Sequence, residues 1–186
     1  DFFYSVVYSV ICKINRSLHN MVSKQTHNSK RKRLRKEIPM LQPVPIIRIF
    51  GYGSLLNEKT IQRRLPGQKI VSRATLGGYQ RTFRKLGNDH VYLTLRRRTN
   101  STVIGTLIDV SPPELAILTC SEPGYTLADI TDDMLDNTST SPRVYCFIAP
   151  PVEIVPDHLK SIRRSYLKTC LDGLPEEERE RWFKEI

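Results

Sequence analysis

Residues 46–57, with the sequence IIRIFGYGSLLN, place a glycine-flanked loop directly after an apolar, β-branched run. The run predicts a buried strand, and the loop Gly51–Leu55 begins where that strand ends. Such a loop can bind a phosphate, present Ser54 as a nucleophile, or offer backbone N–H groups to another ligand. The residues around it discriminate between these uses.

Each of the three common glycine-loop motifs lacks a residue that it needs. A dinucleotide-binding loop has a third glycine three residues after the second, but Leu56 stands at that distance from Gly53. No lysine follows as a phosphate-binding P-loop requires, and a nucleophile elbow needs a glycine where Leu56 follows Ser54. A strand end that turns into a helix remains, and its free N–H groups favour an anion such as a carboxylate. A tight turn without a ligand is the alternative.

A second candidate for chemistry is Glu122, within the segment LTCSEPGYTLADI at 118–130. It follows a predicted helix and precedes Pro-Gly-Tyr and a strand-like run. A single glutamate in a loop is most often only solvated. By itself, Glu122 is therefore a weak indication of a site.

Cysteine and histidine spacing gives no support to a metal site or a histidine-based triad. A structural zinc site takes its four ligands from close sequence pairs. The four cysteines and four histidines are instead scattered, at Cys12, Cys120, Cys146, Cys170, His19, His27, His90 and His158. Four cysteines over this length do not form a disulfide scaffold either, so we expect a reducing, cytoplasmic setting.

Apolar periodicity and turn residues predict short alternating elements. Strands are predicted at 46–50, 69–83 (with a glycine bend), 91–98, 102–110 and 143–149. Asn100 marks a polar turn between two of these strands, and residues 131–142 form an acidic loop. Helices are predicted at 57–65, 111–120, 156–171 and 175–186. This order predicts an α+β fold with a small mixed β-sheet or barrel flanked by helices.

Most of the net charge lies before the predicted domain. Residues 1–45 hold nine Lys/Arg and two acidic residues, so they carry +7 of the net charge of +10. The apolar run 1–12 is shorter than the roughly 20 residues of a helical membrane span. We predict a basic, disordered tail at 1–45 and a folded domain at 46–186. The basic run 29–37 is the candidate for nuclear targeting or for contact with nucleic acid or an acidic membrane, functions that we do not expect. Nucleic-acid binding is the weakest of these, because no aromatic residues interleave the run.

From about residue 46 to residue 171 the chain resembles the gamma-glutamylcyclotransferase-like superfamily. The resemblance is carried by FGYGSLL (50–56), ATLGGYQRTF (74–83), VIGTLIDVSPPELAILTCSEPGYTLADI (103–130), RVYCFIA (143–149) and HLKSIRRSYLKTCLDGLP (158–175). Pro123, beside the glutamate, departs from the family's pattern.

The resemblance implies an enzyme that cleaves a γ-glutamyl amide without water. The α-amine of the glutamyl group attacks its own γ-carbonyl, closes a five-membered ring and releases 5-oxoproline with a free amine. By resemblance, Glu122 is the catalytic acid–base, and Tyr52, Gly53, Ser54, Leu55 and Tyr125 bind the substrate. Neither a metal nor another cofactor is required, and the partner is a small γ-glutamyl compound. The alternative is a catalytically silent carboxylate-binding or interaction protein on the same fold.

Overall fold

The apolar run after Pro45 forms the central strand of a five-stranded sheet. The structure, a computed structural model, describes residues 45–136, 142–152, 155 and 161–186. The strands are β1 (Ile47–Gly51), β2 (Ser72–Leu86), β3 (Val91–Val110), β4 (Thr126–Asp129) and β5 (Val144–Ile148). Their order across the sheet is β2-β3-β1-β5-β4. The pair β1–β5 is parallel and the other neighbours are antiparallel, so the predicted mixed sheet is confirmed.

Helices cover both faces of this sheet. In the described residues they are α1 (Glu58–Arg64), α2 (Pro112–Ser121), α3 (Arg164–Asp172) and α4 (Glu176–Lys184), with 3-10 turns at Ser54–Leu56 and Thr131–Asp133. Asn57 caps α1 by accepting from the Thr60 N–H at 3.3 Å. Glu114 closes the start of α2 by accepting from the Ser111 N–H at 2.8 Å. Both helices therefore begin where their capping residues predict.

The predicted turn at Asn100 is wrong, because β3 runs through it as one long strand. Gly77 pairs with Thr102 and Tyr79 pairs with Arg97, so one residue of β2 faces four residues of β3. Asn100 and Gly78 take positive φ values of 61° and 72° in this bulge. The polar residues kink the strand instead of reversing it, because β2 supplies a pairing partner on both sides of the bulge.

Within the described residues, the predicted helix at 156–171 begins at Arg164. Residues 161–163 are not helical: Ile162 forms a bridge with Val91, and the Ser161 carbonyl accepts from the Val91 N–H at 3.2 Å. At residues 161–163, pairing with the start of β3 thus takes the place of the predicted helix. Residues 156–160 lie outside the described residues, as do residues 137–141 of the acidic loop and the predicted tail up to residue 44.

The sheet curls so that β2 meets the segment that follows β4. Leu76 forms a bridge with Met134, and the Leu135 N–H donates to the Thr75 carbonyl at 2.9 Å. Asp136 accepts from the Thr75 N–H at 2.6 Å. These bonds draw one end of the sheet into a half-barrel. None of the helices in the described residues is long and apolar enough to cross a bilayer.

Neighbouring residues of β1 point into two separate cores, as expected for a strand that is buried on both faces. Phe50 belongs to a cluster completed by Cys170, Leu174 and Trp182 from the C-terminal helices and the segment between them. Ile49 belongs to a second cluster, with Ile61 and Leu65 of α1 and Leu118 of α2. The loop after β1 consequently emerges between two packed layers.

Arg81 is fully buried and connects three parts of the molecule. Its guanidinium donates to the Tyr52 carbonyl at 3.0 Å, to the Ile104 carbonyl and to the carboxylate of Glu185. It also lies 5.5 Å from the ring centroid of Trp182. Burial lowers the pKa of Arg81 to about 10, and the attraction of Glu185 opposes that shift. The group is therefore charged at neutral pH.

We predict that Arg81→Met lowers the free energy of unfolding by about 3–5 kcal/mol, because Glu185 and two carbonyls lose their donor. Urea denaturation measures the change. Arg96→Met is the matched control, since Arg96 is exposed on β3, and it should change stability by less than about 0.5 kcal/mol. A loss of less than about 1 kcal/mol in Arg81→Met would contradict the stabilising role given to this contact.

Candidate functional site

The loop after β1 leaves three backbone donors without an acceptor in the described part of the chain. The Leu56 N–H donates to the Gly53 carbonyl at 3.0 Å, and the Asn57 N–H donates to the Ser54 carbonyl at 3.2 Å, which forms the 3-10 turn. Across the described ranges, the N–H groups of Gly53, Ser54 and Leu55 donate to no protein group. All three residues line a cavity. They are therefore available to an anion or a carbonyl oxygen.

Contacts from distant parts of the chain fix this loop from behind. Arg81 donates to the Tyr52 carbonyl, and the buried Thr106 hydroxyl donates to the Leu55 carbonyl at 3.1 Å. The Asn57 amide donates to the Thr169 carbonyl at 3.1 Å and so ties the end of the loop to α3. Because its carbonyls are held in this way, the loop is positioned before any ligand arrives.

The two glycines of the loop are needed for close packing rather than for a left-handed backbone. A Cβ on Gly51 would lie 2.6 Å from the Leu55 Cβ, which no real contact allows. A Cβ on Gly53 would lie 3.1 Å from the Tyr166 hydroxyl. Gly53 has a φ of −125°, so a positive φ is not the reason for glycine there.

Tyr52, a predicted substrate-binding residue, places its side chain in the core. Its hydroxyl donates to the Phe147 carbonyl of β5 at 2.8 Å, and burial raises its pKa well above the usual value. The side chain thus anchors the loop to the neighbouring parallel strand. The carbonyl of Tyr52 is held by Arg81, so both ends of this residue support the loop.

Glu122 ends α2 and begins a tight turn that Pro123 and Gly124 explain. The Tyr125 N–H donates to the Glu122 carbonyl at 3.2 Å, and Gly124 has a φ of 78°. Proline at the second position and a positive-φ glycine at the third position are typical of a type II turn. Pro123, which departs from the family's pattern, thus has a structural role: it helps to place Glu122 and Tyr125 together.

The side chain of Glu122 lines the same cavity as the loop. Its Oε1 accepts from Arg64 in the last turn of α1, and the side chain is 16% exposed. Arg64 was not among the residues singled out in the sequence, because the pair Arg63-Arg64 reads as an ordinary basic helix end. The ion pair fixes the orientation of the carboxylate and leaves Oε2 for a ligand.

Two tyrosines complete the cavity wall beside Glu122. The Tyr125 hydroxyl donates to the Leu93 carbonyl at 2.6 Å, and burial, with a smaller effect of Glu122, raises its pKa. Tyr166 of α3 also lines the cavity, and burial raises its pKa well above the usual value. Both hydroxyls are therefore protonated at neutral pH. Sequence reasoning missed Tyr166, whose one signal was its place in the segment that resembles the family's closing helix.

The cavity itself is small, at about 30 Å³, and Phe50, Leu93 and Phe147 form its apolar wall. It shares Ser54, Glu122, Tyr125 and Tyr166 with an adjoining cleft of about 580 Å³. A small ligand can thus place one end in the cavity and the remainder in the cleft. The structure brings all six predicted site residues to this cavity.

Metal-ligating side chains are not grouped at this site or elsewhere in the part of the chain that the structure describes. No set of three or more His, Cys, Asp or Glu residues there is placed to hold a metal ion.

Comparison with solved structures identifies the fold. No protein-family model and no curated protein sequence matches the chain. A gamma-glutamyl cyclotransferase is similar with a TM-score of 0.59 at 18% identity, over 76% of this chain and 89% of that one. An uncharacterized protein from Homo sapiens is similar with a TM-score of 0.57 at 18% identity, over 76% and 88%.

YkqA from Bacillus subtilis is similar with a TM-score of 0.57 at 18% identity, over 75% of this chain and 53% of the YkqA chain. The present chain therefore spans about half the length of YkqA. At such identities the likeness establishes the fold and leaves the activity open. Together with the half-barrel sheet flanked by helices, this likeness shows that the protein has the gamma-glutamyl cyclotransferase fold, as the sequence resemblance predicts.

Proposed function

We propose that the protein is a lyase that cleaves a γ-glutamyl amide into 5-oxoproline and a free amine. One observation carries the proposal: Glu122 and the unpaired N–H groups of Gly53, Ser54 and Leu55 line one cavity in a gamma-glutamyl cyclotransferase fold. A carboxylate and a set of backbone donors are the two components that this reaction needs.

The reaction needs little beyond orientation and one proton transfer. The α-amine and the γ-carbonyl belong to the same glutamyl group, so folding that group into a reactive conformer supplies several kcal/mol of rate acceleration. The C–N bond of the ring forms as the amide C–N bond breaks, and no water is consumed. The free amine is an ammonium at pH about 7 and must lose a proton before it attacks.

Glu122 is the group that takes this proton and returns it to the leaving nitrogen. Its Oε1 contacts Arg64, so Oε2 is the atom that faces the substrate amine. Arg64 is a positioning residue in this scheme, because it acts through the carboxylate. The loop donors hold the glutamyl end or stabilise the oxyanion on the γ-carbonyl, and the protonated Tyr125 and Tyr166 hydroxyls flank the same space.

The ion pair between Arg64 and Glu122 is also compatible with a second candidate function. In a catalytically silent protein, Arg64 and Glu122 form a structural contact between α1 and α2, and the loop binds a small carboxylate without turnover. Such a protein would bind γ-glutamyl compounds and release no 5-oxoproline, which separates the two candidates.

The first test is Glu122→Gln, assayed for 5-oxoproline with glutathione, a γ-glutamyl amino acid and a γ-glutamylamine. We expect the wild type to turn over at least one of them, and the variant to lose about 10²–10⁴-fold in kcat, because an amide cannot accept the ammonium proton. Thermal unfolding of both proteins checks that the fold is intact.

Glu180→Gln is the matched control, since Glu180 is an exposed carboxylate on α4, and its kcat should equal that of the wild type. Full activity in Glu122→Gln would remove Glu122 from the mechanism. If the wild type binds the compounds without releasing 5-oxoproline, the silent carboxylate-binding candidate replaces the lyase.

If the loop acts through its backbone, substitutions at Ser54 and at Gly53 should lower the activity to different degrees. Ser54→Ala should keep most of the activity, because the proposed donors are backbone N–H groups. Gly53→Val should lose at least about 100-fold, because its side chain would meet the Tyr166 hydroxyl 3.1 Å from the Cβ position and crowd the cavity. Steady-state kinetics with mass spectrometry of the enzyme during turnover measures both effects.

If Ser54→Ala lost more activity than Gly53→Val, or if an acyl adduct were trapped on Ser54, the serine hydroxyl would be the nucleophile instead.

A further inference from the structure

The cleft beside the cavity carries an excess of positive charge. Its wall holds four cationic and two acidic side chains: Arg63, Arg64, Lys85, Arg163, Asp89 and Glu122. Arg64 and Glu122 neutralise each other in their ion pair. Three cations therefore face this space with one carboxylate, and such a surface attracts an anionic group.

Of the three cations outside this ion pair, Lys85 contacts a residue that also lines the inner cavity, Tyr125. Lys85 is half-buried on β2, and its Nζ lies 5.3 Å from the ring centroid of Tyr125 and 5.7 Å from that of Tyr92. Tyr125 also lines the inner cavity, so Lys85 stands where cavity and cleft meet. Among the described residues, Lys85 forms no ion pair.

A half-buried ammonium group that is paired only with aromatic rings is a good site for a carboxylate. The rings hold the charge in place through cation–π contacts, and no carboxylate of the described residues is paired with it. Arg63, at the end of α1, and Arg163, before α3, are exposed and widen the positive surface beyond Lys85.

We infer that Lys85, with Arg63 and Arg163 at the rim, binds a carboxylate on the amine half of the substrate. This inference rests on the proposed function: with the glutamyl end held by the loop, the leaving amine extends into the cleft past Glu122 and Tyr125. The substrate class is then a γ-glutamyl amino acid or peptide that ends in a free carboxylate. Neutral or cationic γ-glutamylamines lack that contact.

Equilibrium binding tests the inference without requiring turnover. Isothermal titration calorimetry compares γ-glutamyl-alanine with γ-glutamyl-alaninamide, which differ in one carboxylate, on the full-length Glu122→Gln variant. We expect the acid to bind about tenfold or more tightly at low salt, and this preference to shrink in about 0.5 M NaCl.

Lys85→Met on the same background keeps an apolar side chain between the two rings and removes the charge. It should reduce the ratio of acid to amide affinity to within about threefold. Lys69→Met, at an exposed lysine outside the cleft, is the matched control and should leave the ratio unchanged. Thermal midpoints of all variants confirm that they are folded.

Equal binding of acid and amide, no binding of either, or an unchanged ratio in Lys85→Met would overturn the inference, whether or not the wild type makes 5-oxoproline. An acid preference that depends on Lys85, in a protein that releases no 5-oxoproline from any γ-glutamyl compound, would uphold the carboxylate site and overturn the lyase.

Discussion

The buried guanidinium of Arg81 is the contact on which the rest of the site depends. A buried charge is tolerated only when its donors are used, and Arg81 uses them on Tyr52, Ile104 and Glu185. One side chain thereby ties the loop after β1 to β3 and to the end of α4. The contacts that hold this loop use its carbonyl groups, and its N–H groups therefore remain available to a ligand.

Four separate parts of the chain line the cavity and the cleft beside it. The loop comes from the end of β1, Glu122 from the end of α2, Tyr166 from α3, and Lys85 from β2. The parallel pairing of β1 with β5 matters here, because Tyr52 reaches the Phe147 carbonyl only when the two strands run side by side. The fold thus brings segments that are distant in sequence together around one cavity with a charged cleft beside it.

Local patterns in the sequence predicted the parts of this arrangement that depend on neighbouring residues. The strand before the loop, the capped starts of α1 and α2, and the position of Glu122 at a helix end all follow from short-range chemistry. The turn expected at Asn100 failed because pairing with β2 on both sides of the bulge outweighs the local turn preference.

Contacts between segments far apart in sequence were beyond such patterns. Arg64 meets Glu122 across 58 residues. Tyr166 similarly lies against Gly53 only because α3 packs on the loop. The local sequence of a basic helix end or of an amphipathic helix does not indicate that Arg64 or Tyr166 belongs to a site. The charge of the cleft is likewise a property of the assembled surface, whereas the sequence placed the excess charge in the tail.

A crystal structure of the Glu122→Gln variant with γ-glutamyl-alanine tests most directly whether the loop donors and Glu122 bind opposite sides of one γ-glutamyl group. We expect an oxygen of the glutamyl group at about 2.7–3.2 Å from the backbone nitrogen of Gly53, Ser54 or Leu55. The α-amine should lie within hydrogen-bond distance of the side chain at position 122. A ligand bound elsewhere, or one whose amine faces away from position 122, would contradict the account.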